Sequence, residues 1–235
     1  MIFENKPGID EDVFIHRLGY GDALPDEAAA KRIAGALAEV ERAASPRWVY
    51  KVFEVVRSHA RGHAVSLEPG GPGLAGRDIE RHLEGCTGAA VFALTLGAGM
   101  DAHLRRLSAA DPFDAVVADT AASELAECYA DEAERLIKER LAGEGPGGSG
   151  VYLTGRYSPG YGDLDLSVQN KLVRALDGAR AIGLTVTDSH IMLPRKSITA
   201  IIGVSDHPVT GARAGCESCA LWEKCEKRKT GEACE

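Results

Sequence analysis

After Asp111-Pro112 the chain carries its most strongly periodic segment, and no other stretch limits the possible folds as much. Phe113, Val117, Leu125, Cys128, Leu136 and Ile137 fall on one helical face, which predicts a single helix running to about Gly143. Ala89 to Leu96 (AAVFALTL) is an apolar run of strand length that ends at Gly97-Ala98-Gly99 and reads as a buried strand.

The remaining segments fit around this pair. Pro25 to Ala44 reads as an amphipathic helix with Ile33, Leu37 and Val40 inward. Trp48 to Val56 (WVYKVFEVV) is rich in aromatic and β-branched residues and reads as a strand, while Ser66 to Gly76 (SLEPGGPGLAG) reads as a loop. Arg77 to Gly85 suits a short helix, and Val151 to Leu153 a short strand. Ser167 is positioned to cap a helix reaching Asp177-Gly178, and GLTVTDSHIMLPRKSITAIIGV, which follows, reads as paired strands. Gly143 to Gly150 (GEGPGGSG) reads as a flexible connection, a spacer in preference to a mobile loop beside a ligand site. The fold class expected is α+β: one mixed domain over residues 1–213 with a twisted, mainly antiparallel sheet flanked by helices, then a small Cys-rich tail over 214–235.

The 235 residues are 45% hydrophobic and 26% charged, with a net charge of −8. That balance argues against an electrostatic grip on nucleic acid or on an anionic membrane. No apolar stretch has the roughly 18 residues needed to span a bilayer, and the N-terminus lacks a secretory signal core, so a cytoplasmic location is expected. Disulfides are not expected there.

Four of the six cysteines lie in the tail: Cys216, Cys219, Cys225 and Cys234. Four thiolates with the first two in one turn can complete a tetrahedral zinc site or hold an iron–sulfur cluster, and the spacing does not choose between them. Cys86 and Cys128 stand alone on apolar faces and read as core residues. Gly97-Ala98-Gly99 follows a strand and precedes a helix but lacks the rest of a dinucleotide fingerprint, so it reads as a tight turn. His190 and His207 read as satisfied structural histidines.

The densest chemistry lies in Thr154 to Leu164 (TGRYSPGYGDL). A surface turn uses Gly and Pro for its dihedral angles, but has no use for an arginine and two tyrosines at fixed offsets. The run Arg156, Gly160, Tyr161, followed by Thr187-Asp188-Ser189, Ile191-Met192, Pro194 and Ser197, resembles the activation domain of cobalamin-dependent methionine synthase. VVADTAASELAECYADEAERL in the long helix is similar to that family's Ala-Asp-x-x-Ala-Glu helix. Together these place the resemblance over residues 112 to 208, in a version of the domain that stands free of the synthase. The family's N-terminal aspartate motif and its aromatic pair after the last strand have no counterpart here.

The resemblance implies binding of S-adenosylmethionine and a part in a cobalamin-dependent methyltransferase system, the rescue of cobalamin that has slipped to cob(II)alamin. It implies that Arg156 holds the methionyl carboxylate, Glu127 pairs with the ammonium, the backbone at Ser158 meets the adenine edge, Gly160 allows close approach, and Tyr161 faces the reacting end as the catalytic candidate. The implied partners are a methionine synthase or another corrinoid protein carrying the cobalamin, and an electron donor such as flavodoxin or ferredoxin. An iron–sulfur cluster on the tail would relay that electron. The other reading is a docking or assembly module for a corrinoid protein, with a structural zinc tail and no chemistry of its own.

Overall fold

The computed structural model describes residues 1–21, 23–57, 64–144, 150–209 and 211. In chain order the elements are α1 (Glu11–Ile15), a π-helical turn (His16–Tyr20), α2 (Glu27–Ala43), β1 (Arg47–Arg57), β2 (Ala64–Glu68), β3 (Gly73–Ala75), α3 (Arg77–His82), β4 (Gly88–Thr95), α4 (Ala98–Ala110), α5 (Pro112–Glu144), β5 (Tyr152–Leu153), α6 (Val168–Ala175), α7 (Gly178–Ile182), β6 (Thr185–Val186), β7 (Met192–Leu193) and β8 (Ser197–Ser205). A six-stranded sheet in the order β3-β2-β1-β4-β8-β5 is antiparallel at every pairing, and β6 with β7 forms a separate hairpin. The mixed α/β architecture with an antiparallel sheet agrees with the sequence. The cysteine tail and the proposed boundary at 213/214 lie outside the described residues, as do residues 145–149 of the expected spacer.

The sheet is buried on both faces at its centre because β4 is apolar from Ala89 to Leu94. Ala90, Phe92 and Leu94 point to one side, where α2, α4 and α5 pack, while Ala89, Val91 and Ala93 point to the other, under α3, α6 and α7. Each large side chain fully buried in this way contributes about 1.5–3 kcal/mol. The helix α5 lies against the first face through a row of small residues, Ala118, Ala121, Ala122, Ala126, Ala130 and Ala133, which let it approach the strands closely. Its start follows the Asp-Pro signal: the Asp111 carboxylate accepts the backbone N–H of Phe113 and of Asp114 at 2.8 and 3.1 Å.

Three expectations are corrected. Residues 66–76 are not a loop: β2 and β3 form a hairpin there, because Val65, Leu67 and Leu74 all bury on one face and the Pro/Gly cluster makes only the connecting turn. Ser167 does not cap α6; its backbone N–H donates instead to the Asp165 carboxylate at 2.8 Å. The C-terminal strands do not all pair with each other, since β8 joins the main sheet between β4 and β5. The turn at Gly97 is the tight connection expected, with φ at +87° and Ser45 against the position a side chain would take.

Candidate functional site

A one-residue irregularity in strand pairing builds the site. Thr154 donates its backbone N–H to the Gly203 carbonyl at 3.0 Å, while Tyr157 and Ile201 exchange both backbone hydrogen bonds at 2.9 Å. Two residues, Gly155 and Arg156, therefore stand opposite the single residue Ile202, which is a β-bulge. Thr154 holds the offset in place, its hydroxyl accepting from the Gly203 N–H at 2.7 Å and contacting His82 Nε2 at 2.8 Å. The bulge throws Arg156 off the sheet edge and onto α5.

On α5 the guanidinium meets three carboxylates spaced along one helical face: Glu127 at 3.1 Å, Asp131 at 2.5 Å and Glu134 at 3.3 Å. Glu127 and Arg156 are thus brought together, as the two expected ligand-binding charges would need to be. Asp131 and Glu134 were missed in the sequence, although they follow Glu127 at i+4 and i+7, the helical spacing that puts them on its face. Burial works against the charge on Arg156, but Asp131, Glu127 and Glu134 more than offset it and its pKa is raised. Burial pushes the Glu134 carboxyl above the ordinary range, with Asp131 adding to the shift and Arg156 opposing it.

The rest of the quoted run folds into a tight turn. Tyr161 donates its N–H to the Ser158 carbonyl at 3.2 Å, with Pro159 second and Gly160 third at φ +92°, the arrangement of a type II turn. Gly160 is needed for that dihedral angle, and only Leu166 stands near the space above it. The Tyr161 side chain is 58% exposed. Tyr157 points the other way, into the core under α3 and α6, and its pKa is pushed up to about 12, first by burial and then by Asp78 and Asp163.

A second anchor was not legible in the sequence: the Asp163 carboxylate accepts the backbone N–H of Arg77 at 2.7 Å and of Asp78 at 3.1 Å, tying the turn to the start of α3. The later motif residues build the hairpin. The Thr187 hydroxyl lies 2.9 Å from that of Ser189 and accepts the Ile191 N–H at 3.1 Å, and the Ser197 hydroxyl donates to the Pro194 carbonyl at 2.7 Å. His190 lies 3.3 Å from the Asn170 amide and His207 2.8 Å from Asp206, so both are satisfied as expected. Cys86 is buried and Cys128 half-buried, and burial raises both thiol pKa values. Cys216, Cys219, Cys225 and Cys234 lie outside the described residues; among the described residues no group of three or more His, Cys, Asp or Glu side chains could hold a metal ion. No described helix is long and apolar enough to cross a membrane.

Fold and site together define a class: an antiparallel sheet backed by one long helix, with an edge bulge that delivers an arginine to that helix's acidic face. The family model for the vitamin B12 dependent methionine synthase activation domain matches residues 79–209, more than half of the chain, and the chain belongs to that family. A crystal structure of the MetH reactivation domain bound to AdoHcy shares the fold, with a TM-score of 0.57 and 18% identity over 95% of this chain and 82% of that one. No curated protein sequence matches the chain.

Proposed function

We propose that this protein binds S-adenosylmethionine between α5 and the 156–161 turn, and supports the reductive methylation of cob(II)alamin held by a methionine synthase or a related corrinoid protein. The observation that carries the reading is the bulge at Gly155-Arg156. It fixes a guanidinium beside carboxylates next to an open turn, and a ligand that bears a carboxylate, an ammonium and a sulfonium is complementary to that set. Arg156 would take the carboxylate through two parallel hydrogen bonds, which a lysine does not imitate. Glu127 would exchange its bond to Arg156 for one to the ammonium. The backbone at Ser158 would meet the adenine, Gly160 would admit the ligand close to the main chain, and the exposed ring of Tyr161 would stand against the sulfonium.

Cobalamin, in this reading, resides on the partner and supplies the methyl acceptor once one electron has been added. That electron would come from a donor such as flavodoxin or ferredoxin, directly or through an iron–sulfur cluster on Cys216, Cys219, Cys225 and Cys234. Stoichiometric zinc without iron in anaerobically purified protein would remove the relay. For the ligand, calorimetry with S-adenosylmethionine is expected to show binding by the wild type, a loss of at least roughly 100-fold in Arg156→Ala from removal of a charge-assisted pair, and incomplete recovery in Arg156→Lys. Equal binding by all three proteins would place the site elsewhere.

One observation favours the other reading, a docking module without chemistry. All three carboxylates already hold Arg156, so a ligand carboxylate must displace them. A stable complex with a corrinoid protein, together with no binding of S-adenosylmethionine, would select it.

A further inference from the structure

Three cations converge on one cavity at the other end of the seam between α5 and β8. The cavity, about 330 Å³, lies between α4, the first turns of α5 and the connection from β7 to β8. Leu104 and Leu193 give it apolar lining, and Arg105, Arg195 and Lys196 give it charge. The carboxylates beside it are already engaged. Asp101 accepts the backbone N–H of Arg195 with both oxygens at 3.1 and 3.0 Å, and Asp119 pairs with Lys196 at 2.9 Å.

The two guanidinium groups are not engaged in that way. Arg195 makes no side-chain hydrogen bond or ion pair with another described residue, and Arg105 donates only through Nε, to the Asp101 carbonyl at 3.3 Å. Two fork-shaped donors without an ion-pair partner among the described residues, in a partly apolar cavity whose charges sum to one positive, match a carboxylate, which each fork can bind through two hydrogen bonds.

The surroundings point to a carboxylate carried by a protein. Ile191 and Leu193 stand at 54% and 43% exposure in the β6–β7 hairpin, close in sequence to Arg195, and an apolar patch with an arginine, a residue enriched at interfaces, suits contact with another protein. Asp119, at the cavity, and Glu127, at the candidate ligand site, are eight residues apart on α5, about 12 Å. A protein that presents its reacting group to the 156–161 turn would cover both within an ordinary footprint of about 800 Å² per partner. The chain as a whole is acidic, so an acidic partner is repelled elsewhere and attracted at this spot.

We propose that the cavity between Arg105 and Arg195 is a docking anchor for an acidic segment of the corrinoid-carrying partner protein. The identity of the partner rests on the function proposed above; the anion chemistry of the cavity does not.

The test uses the full-length chain in two arms. In the first, fluorescence anisotropy follows binding of a labelled hexaglutamate peptide, with inorganic phosphate as competitor. Binding is expected in the wild type, weakens at least roughly tenfold in Arg105→Ala/Arg195→Ala, is restored in part by the double lysine variant, is unchanged in Arg156→Ala, and falls with salt. In the second, the same variants are titrated with a cobalamin-loaded methionine synthase lacking its own activation domain, and the double alanine variant is expected to lose affinity while its melting temperature and its binding of S-adenosylmethionine stay at the wild-type level. Unchanged peptide and partner binding in the double variant would overturn the proposal. So would phosphate that competes at the peptide's own affinity while partner binding stays intact, since the cavity would then be a site for a small free anion. Failure of the wild type to bind S-adenosylmethionine sinks the ligand reading and leaves the peptide arm to decide the anchor.

Discussion

The two ends of the seam between α5 and β8 use the same charged residue types to opposite effect. At one end a single guanidinium, Arg156, is held by three carboxylates, an excess of two negative charges. At the other, three cations share a cavity with only Asp101 and Asp119, an excess of one positive charge. Both ends rest on one apolar core, so the contrast is not a difference in scaffold. It comes from side chains on two exposed edges, and a net charge of −8 averages it away.

The most damaging change should erase the contrast by removing what the ends share. Phe92 is fully buried at the centre of the sheet, beneath α5, and Phe92→Ala is expected to cost about 3–5 kcal/mol of stability in urea or thermal denaturation. Binding at both ends should fail together as the fraction folded drops. A smaller change should separate them. A side chain on Gly203 would meet Cys86 Sγ at 2.5 Å and Thr154 Cγ2 at 2.9 Å, where the bulge is registered. Gly203→Ala is expected to cost about 1–3 kcal/mol and to weaken binding of S-adenosylmethionine while leaving the peptide affinity of the cationic end near its wild-type value. A parallel loss at both ends would show that the bulge does not set the difference.

How much of this was legible in the sequence follows from the range of the interactions. The long helix, the buried strand β4 and the tight Gly97 turn depend on periodicity and on one glycine, and all were readable. The β2–β3 hairpin was hidden because its Pro-Gly-Gly-Pro turn outweighs two short strands in composition, and the burial of Val65, Leu67 and Leu74 is a tertiary fact. In the site, Arg156 stood out as an arginine without a use in a turn, whereas the register slip that aims it depends on β8, more than forty residues later. Asp131 and Glu134 carried a signal, the i+4 and i+7 spacing, that reads as an ordinary solvated helix face until a cation arrives from another strand. Asp163 gave none, because the α3 N-terminus it caps lies 86 residues away.

The gentlest test acts on the acidic end alone, through protons. Burial, with Asp131 adding, raises the Glu134 carboxyl above its ordinary value, so the folded state holds that proton more tightly than the unfolded chain does. Such a group contributes its full stability below the ordinary carboxylate pKa and loses that contribution as pH rises through the raised value. Replacement by a neutral isostere removes the loss, and Arg156 keeps Glu127 and Asp131. Glu134→Gln is therefore expected to match the wild type most closely near about pH 4 and to gain in relative melting temperature toward about pH 7. A difference of the opposite slope would mean that Arg156 holds Glu134 ionised more strongly than burial opposes it, and the acidic end would then keep its full excess of two negative charges at neutral pH.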